Sequence, residues 1–376
     1  MSGEGGRGAP RLLVLTPDLP PARGGIQALM EGLLGSISRF EVRVVALDSP
    51  GAREFDRAQA LDVHRVSAPP RLGAGRNLVL DAASIAHALR WHPDVTLASH
   101  IVASPAAAAI TTLLHAPHAT YYHANEIVGK PRLAAWAART DAASIVVSGY
   151  TESLLAAAGG PAGRMHRIPP GVTLPADVRR TSAERPTLVT VSRLADAYKG
   201  HDVLLRALPA IRARVPDVEW VVIGDGPLRR ELQQRAQREG LGGAVRFLGA
   251  VGDAERDAWL LRADVFAMPS RLPGGGLAGE GFGIVFLEAA ARGLPVVAGN
   301  VGGAVDSVAD GETGLLVDPA DPGAVAQAVS SLLLDPALAR RLGEAGARRA
   351  AAFAWPLVAA RVEELLLGLL EPAGVR

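Results

Sequence analysis

The stretch Met268-Pro-Ser-Arg-Leu-Pro-Gly-Gly-Gly-Leu-Ala-Gly-Glu280-Gly-Phe-Gly-Ile-Val-Phe-Leu-Glu288 decides how the rest of the chain is read. Two carboxylates, Glu280 and Glu288, stand eight residues apart with a Gly-Phe-Gly turn between them, and an apolar helix pattern follows. A helix that starts near Gly283 points its unpaired backbone N–H groups and its positive dipole end at whatever lies in front, which makes a seat for phosphate. At the helical rise, eight residues span about 12 Å. A sugar, a diphosphate and a ribose laid end to end need roughly that reach. Glu280 is then placed to hold a sugar, the helix mouth a diphosphate, and Glu288 a ribose. Glu288 shares a helical face with Ile284 and Ala291, so its carboxylate needs a polar partner.

Working outward, short β-branched runs alternate with helical patterns along the whole chain. The runs are Leu12–Thr16, Val42–Leu47, Val63–Val66, Val95–Ser99, Ala119–Tyr122, Ser144–Ser148 and His166–Ile168 in the first half. In the second half they are Leu188–Ser192, Val218–Gly224, Val245–Leu248, Val265–Met268, Val296–Ala298 and Leu315–Val317. Most are continuously apolar, as expected of parallel strands covered on both faces. The alternation predicts an α/β protein of two doubly wound domains. The polar, proline-bearing segment Pro175–Pro186 marks the boundary. This gives a first domain of residues 1–178, joined by a terminal helical segment 356–376, and a second domain of residues 179–355. Ligands of open α/β sheets bind at the carboxyl ends of the strands, so a cleft between two such domains is the expected site.

Bulk composition narrows the function classes. The chain has 376 residues, more than one ordinary core, with 49% apolar residues and a formal net charge of +1. Nothing global argues for nucleic acid. There are no cysteines, which removes disulfides, thiol catalysis and cysteine zinc sites and fits a reducing cytoplasm. No run of about 18 apolar residues occurs, so the expectation is a cytoplasmic protein that touches a membrane peripherally if at all. Arg71, Arg76, Lys130, Arg132 and Arg139 in the first domain face either anionic lipid or solvent. Nothing in the sequence speaks for a particular oligomeric state.

Smaller constellations add detail. Gly24-Gly25-Ile26-Gln27 lies at a strand-to-helix turn where adjacent glycines permit close backbone approach to an anion or acceptor. Arg193 follows the run Leu188–Ser192, and Lys199 is one of two lysines in the chain, which suits a diphosphate clamp made of a planar fork and a point charge. His123 ends the run Ala119–His123, where it can reach a sugar hydroxyl. His100, similarly placed, reads as structural. Gly224-Asp225-Gly226-Pro227 reads as a turn beside the site, with Pro227 opening the next helix. His115 and His118 lack metal-ligand spacing, so no metal is expected. There is no G-x-S-x-G, H-E-x-x-H or G-x-x-x-x-G-K-[ST] motif.

Taken in order, Gly24-Gly25-Ile26, His123 with Glu126, Pro169-Pro170-Gly171-Val172, Ser192-Arg193-Leu194 with Lys199-Gly200, Gly224-Asp225-Gly226-Pro227, Phe247-Leu248-Gly249, Ala263-Asp264-Val265-Phe266, Glu280-x7-Glu288 and Gly311-Glu-Thr-Gly314-Leu315 resemble the retaining glycosyltransferases of family 4. Each motif is weak alone; together they cover almost the whole chain. Within the family, the Pro-Ser-Arg segment before three glycines and the Glu-Gly-Phe-Gly-Ile-Val-Phe-Leu-Glu run look most like actinobacterial phosphatidyl-myo-inositol mannosyltransferases. The resemblance implies the GT-B fold, two Rossmann-like domains facing across a cleft with the C-terminal helix crossing back to the first. It also implies hexose transfer with retention, with mannose from GDP-mannose as the best-fitting donor.

The residue roles it implies are these. Arg193 and Lys199 neutralise the leaving diphosphate, helped by the backbone at Phe282, Gly283 and Ile284. Glu280 orients the hexose and His123 lies beside it. Glu288 bonds the ribose, and Gly249 and Val251 flank the base. Gly24 and Gly25 approach the phosphate or the acceptor, while Ile26, Gln27, Asn125 and Glu126 face the acceptor. Front-face attack needs no protein nucleophile, and no metal or pyridoxal phosphate is implied. Segment 124–140 is shorter and less aromatic than in lipid-modifying members, which leaves both a glycolipid and a small aminocyclitol-like or natural-product acceptor open. A UDP-sugar donor, a phosphorylase or sugar-nucleotide epimerase, and a non-catalytic nucleotide-sugar-binding protein of the same fold are the competing readings.

Overall fold

The computed structural model describes residues 8–59, 61–181, 183–272 and 279–371. It divides into two compact units, Met1–Gly171 with Trp355–Arg376, and Val172–Ala354. The division falls several residues before the position 178 that the polar segment suggested, and the last strand of the first unit ends at Arg167. The second crossing falls one residue earlier than expected, at Trp355.

The first unit holds seven parallel strands: β1 (Arg11–Thr16), β2 (Glu41–Leu47), β3 (Val63–Val66), β4 (Val95–Ala98), β5 (His118–Tyr122), β6 (Ala143–Val146) and β7 (Met165–Arg167). Their spatial order is β3-β2-β1-β4-β5-β6-β7. Leu12 pairs with Val42 on one side and Val95 on the other, which fixes the register of the centre. Leu12 to Leu15 are wholly buried, as their unbroken apolar run requires of a strand covered on both faces. The C-terminal helix, Trp355–Gly368, belongs to this unit. Its Trp355 indole occupies the space that a Cβ would need at Gly32 and at Gly171. Further along, one Glu363 oxygen accepts from the backbone N–H groups of Ser38 and Arg39, both at 2.6 Å.

A polar knot lies inside the first unit. Asp141 is 0% exposed, and its carboxylate accepts from Thr120 at 2.8 Å, Tyr122 at 2.5 Å and Ser144 at 3.1 Å. His118 stands 3.2 Å from the same group and is held through its other ring nitrogen by Thr111 at 2.7 Å. Sequence spacing gave no hint of this carboxylate beside His118.

The second unit holds six parallel strands: β8 (Thr187–Val191), β9 (Glu219–Ile223), β10 (Val245–Gly249), β11 (Val265–Met268), β12 (Val296–Gly299) and β13 (Gly314–Val317). Their order is β10-β9-β8-β11-β12-β13. The chain therefore winds outward from β8 in one direction and from β11 in the other. The crevice at such a switch point, past the carboxyl ends of the two strands, is where open α/β sheets bind ligands. In the first unit β1 and β4 make the equivalent pair. Pro227 does not open the next helix, which is Arg229–Arg238. Gly224 and Gly226 instead let the turn press on loop 192–194, with φ of 131° and 155° and no room for a Cβ against Ser192 and Leu194.

Candidate functional site

In the second unit the switch point brings the expected residues together. Loop 192–200 leaves β8, and segment 269–283 leaves β11; its glycines 274–276 lie outside the described residues. The Lys199 ammonium donates to a Glu280 carboxylate oxygen, and each side chain is only 13% exposed. Burial weighs against the Lys199 charge, but Glu280, Tyr198 and Asp196 outweigh it, so its pKa lies above the ordinary lysine range. A full positive charge thus sits in a partly desolvated place, where it acts more strongly than it would in water.

The helix Ile284–Ala291 begins next to this pair. Gly283 is its N-cap in the left-handed region, at φ 88°, and no side chain caps the helix. A Cβ on Gly283 would collide with the Phe286 ring and would stand 3.3 Å from the Glu280 side chain, which places Glu280 at the helix mouth. The turn before it is pinned from behind: the Gly303 N–H donates to the Glu280 carbonyl at 2.8 Å, and Gly303 touches the Gly281 carbonyl so closely that only glycine fits. Phe282 is buried, its ring 6.0 Å from that of Phe353. A cation, an uncapped helix N-terminus and a carboxylate therefore converge, and this combination fits a diphosphate with a hydroxylated group attached.

Glu288 lies about one turn down the same helix. Arg256 approaches it at 3.9 Å, and Arg292 donates to its carbonyl at 2.8 Å. Asp257 accepts from both arginines, at 3.2 Å and 2.6 Å. Burial, against the pull of Arg256 and Arg292, raises the Glu288 pKa. These three neighbours were missing from the sequence reading. They come from a helix more than thirty positions upstream and from one turn downstream, and no local pattern marks them. Gly249 accepts from the Gly224 N–H at 2.8 Å and borders Arg229, while Val251 packs partly buried against the core below. Arg193 is the outlier. It is 63% exposed and bonded to Asp196 at 3.4 Å, not turned toward Lys199's partner.

The first unit gathers its own set at the β1, β4 and β5 ends. Gly24 caps the helix Gly25–Leu34, and Gln27 donates to Asp18 at 2.9 Å. Nothing stands within 4 Å of where a Gly25 Cβ would be, so the backbone there is open to approach. Ile26 is half-buried and Asn125 exposed. His123 contacts the Ser99 carbonyl through Nε2 at 3.0 Å, and burial lowers its pKa despite the nearby Glu126. Glu126 is buried, accepts from the Ile101 N–H at 3.2 Å and stands 2.8 Å from His100. Burial raises Glu126 to about 7 and lowers His100 to about 4. His100 is thus part of this cluster, although its sequence position read as merely structural.

One buried titrating group in the second unit sets a measurable pH dependence. His201, 2% exposed, has its pKa lowered to about 4 by burial, then by Lys199 and Arg271, against the opposing pull of Asp202. Below pH 6.5 the unfolded chain binds a proton that the folded chain refuses until about pH 4, so this residue removes stability as pH falls through that window. The loss between pH 7.5 and pH 5 is about 2 kcal/mol. Replacement by Gln abolishes it, so the acid-induced drop in Tm is expected to be smaller in His201→Gln than in the parent. Glu126→Gln is expected to do the reverse, because the raised Glu126 stabilises the fold as pH falls through 7.

Comparison with known proteins follows the same outline. Residues 177–349 match the family described as glycosyl transferases group 1, and residues 24–174 match glycosyltransferase family 4. A Mycolicibacterium smegmatis protein named GDP-mannose-dependent alpha-(1-6)-phosphatidylinositol monomannoside mannosyltransferase is 38% identical, over 96% of this chain and 99% of its own length. A Mycobacterium tuberculosis protein of the same name is 35% identical, over 95% and 98%. The crystal structure of Anabaena HepE in complex with UDP superposes with a TM-score of 0.79 at 23% identity, covering 95% of this chain and all of that one. At that identity the last likeness speaks for the fold.

Proposed function

The chain belongs to the group 1, family 4 glycosyltransferases, and from that premise we propose that it moves mannose from GDP-mannose to a hydroxyl of a phosphatidylinositol-mannoside glycolipid. The observation that carries this reading is the Lys199–Glu280 pair at the mouth of the helix Ile284–Ala291. It is supported by relatives of that name that match end to end.

In this reading Glu280 accepts from a mannose hydroxyl and so fixes the ring against the helix mouth. The Lys199 ammonium, with three N–H donors, bridges Glu280 and the diphosphate. As the glycosidic C–O bond breaks, its electron pair goes to the diphosphate, and Lys199, Arg193 and the backbone at Phe282–Ile284 stabilise the negative charge that develops there. The acceptor oxygen bonds to the anomeric carbon on the same face, and its proton passes to the departing phosphate. Catalysis is positioning plus charge stabilisation, which needs no protein nucleophile. Two cationic side chains take the part that a divalent ion would otherwise play, so EDTA is expected to leave the rate unchanged. Glu288 holds the ribose hydroxyls, its carboxylate kept in place by Arg256.

Among the described residues no helix is long and apolar enough to cross a membrane. Exposed Leu72 and Leu78 lie beside Arg71 and Arg76 in the first unit, a mix of apolar and cationic groups that suits peripheral contact with the inner membrane face.

A thermal-shift panel of GDP, UDP and ADP tests the donor, since a ligand stabilises by RT ln(1 + [L]/Kd). At a concentration of about 100 Kd the gain is about 2.7 kcal/mol, and GDP alone is expected to show it. Transfer from labelled GDP-mannose is then read with the acceptor in phosphatidylinositol vesicles, with which the protein should co-sediment. A larger shift with UDP, or transfer only to a soluble cyclitol, would sink the donor or the acceptor assignment respectively.

A further inference from the structure

Ser192 and His201 flank the loop that carries Arg193 and Lys199, and neither touches the place assigned to the diphosphate. We propose that their hydrogen bond is a positioning device, a clasp across the base of this loop that holds Lys199 where the leaving group develops charge. The inference rests on the reading of Lys199 given above.

The geometry is specific. Ser192 Oγ and His201 Nε2 are 2.9 Å apart. Ser192 is the residue after β8, and its backbone is fixed by its N–H to the Ile223 carbonyl at 3.0 Å and by Gly224 pressed against its own carbonyl. His201 is the first residue of the helix His201–Arg214 of the second unit, and it is almost wholly buried. Both anchors are therefore parts of the rigid sheet and helix layer. Between them the backbone turns through Gly200 at φ 82°, where a Cβ would collide with the Pro269 carbonyl. Tyr198 accepts from the Arg271 N–H at 2.8 Å, and Leu194 donates to Asp225 at 2.9 Å. These ties are all between backbone groups. The Ser192–His201 bond adds a side-chain tie that closes the loop at its base.

The protonation state fits a fixed role. Ser192 Oγ also reaches the Arg193 carbonyl at 3.4 Å, so the hydroxyl proton points there and its lone pair accepts from Nε2–H. His201 Nδ1 then carries a lone pair and has no hydrogen-bond partner. A neutral ring suits its surroundings, because Lys199 and Arg271 both disfavour a further positive charge. A buried imidazole with one nitrogen unpaired is an expensive way to fill space, and an aliphatic side chain would fill it without that penalty. What the ring supplies is an N–H aimed at the serine next to Arg193. Cations that need no reorganisation as charge develops are the ones that lower the barrier most.

The test uses the full chain and four variants, Ser192→Ala, His201→Leu, His201→Gln and the Ser192→Ala/His201→Leu pair. It reads kcat and KM with GDP-mannose, and the calorimetric affinity ratio of GDP over guanosine monophosphate. Ser192→Ala and His201→Leu are each expected to lower kcat by about 10- to 100-fold and to shrink the GDP preference, with KM moving less. The double variant should be no worse than the poorer single one. His201→Gln, whose amide N–H can reach Ser192, should stay within about threefold of the parent. Ser192→Ala removes one oxygen and keeps the test decisive if His201→Leu does not fold. If kcat stays near the parent value while only Tm falls, or if Gln fails as badly as Leu with Tm intact, the clasp is overturned. A parent chain with no preference for GDP overturns the functional reading and the clasp together. An active parent with indifferent variants overturns the clasp alone.

Discussion

Alanine in place of Lys199 or of Glu280 is expected to lower kcat by about 10²- to 10⁴-fold, the largest catalytic effect in the chain. The two losses differ in kind. Without Lys199, the Glu280 carboxylate stays at the helix mouth with no cation between it and the diphosphate, and like charges then oppose each other as the bond breaks. Without Glu280, Lys199 keeps its charge but loses the partner that fixes its direction and the acceptor that holds the hexose. The first variant should therefore lose mainly kcat, and the second kcat together with donor KM. Combined, they should fall well short of the product of the single losses, since the pair acts as a unit. Neither change should unfold the chain, because both groups border the strand-end crevice and are not in the sheet core. Rates near the parent value in both variants, measured with GDP-mannose and a working acceptor, would remove the pair from the site.

Lys199, Glu280 and Gly283 carry signals legible in the sequence, whereas the groups packed around Glu288 do not, and the difference lies in how each signal arises. The strands announce themselves because Leu12–Leu15 and Val265–Met268 are buried on both faces and must be apolar throughout. The helix mouth at Gly283 is legible because a left-handed cap and a close backbone approach each demand glycine. Lys199 stands out in a chain that otherwise uses arginine. The Asp257–Arg256–Arg292 set around Glu288 gives no such sign. Each of those residues looks like an ordinary helix-surface charge, and only folding brings them to one carboxylate. The same holds for His100 beside Glu126, one capping the turn Ile101–Ala103 and the other on the helix Ala124–Gly129. Arg193 shows the opposite limit: its position after β8 was clear, but a long side chain's direction depends on neighbours such as Asp196. A helix start shifted where proline was taken as its opening, since the helix after Pro227 begins at Arg229.

The largest stability effect is expected at Asp141, far from any catalytic group. Its carboxylate is the common acceptor for Thr120, Tyr122 and Ser144 and the neighbour of His118, all inside the first unit. Burial, then the Asp141 charge and hydrogen bond, raises the Tyr122 pKa, so the phenol stays protonated and donates throughout the working pH range. Asp141→Ala removes the acceptor and leaves three buried hydroxyls and an imidazole without it, which costs about 3–5 kcal/mol. Asp141→Asn is the sharper probe. Its amide keeps the volume and one oxygen, but its N–H₂ group faces hydroxyls that are already donors, so it should recover about half of the loss. Tyr122→Phe removes a single donor and should cost only about 1–2 kcal/mol, because Asp141 keeps its other partners. Urea midpoints of the three variants check the ranking. Equal losses for Phe and Ala would mean that ring packing, and not the shared carboxylate, holds this part of the unit together.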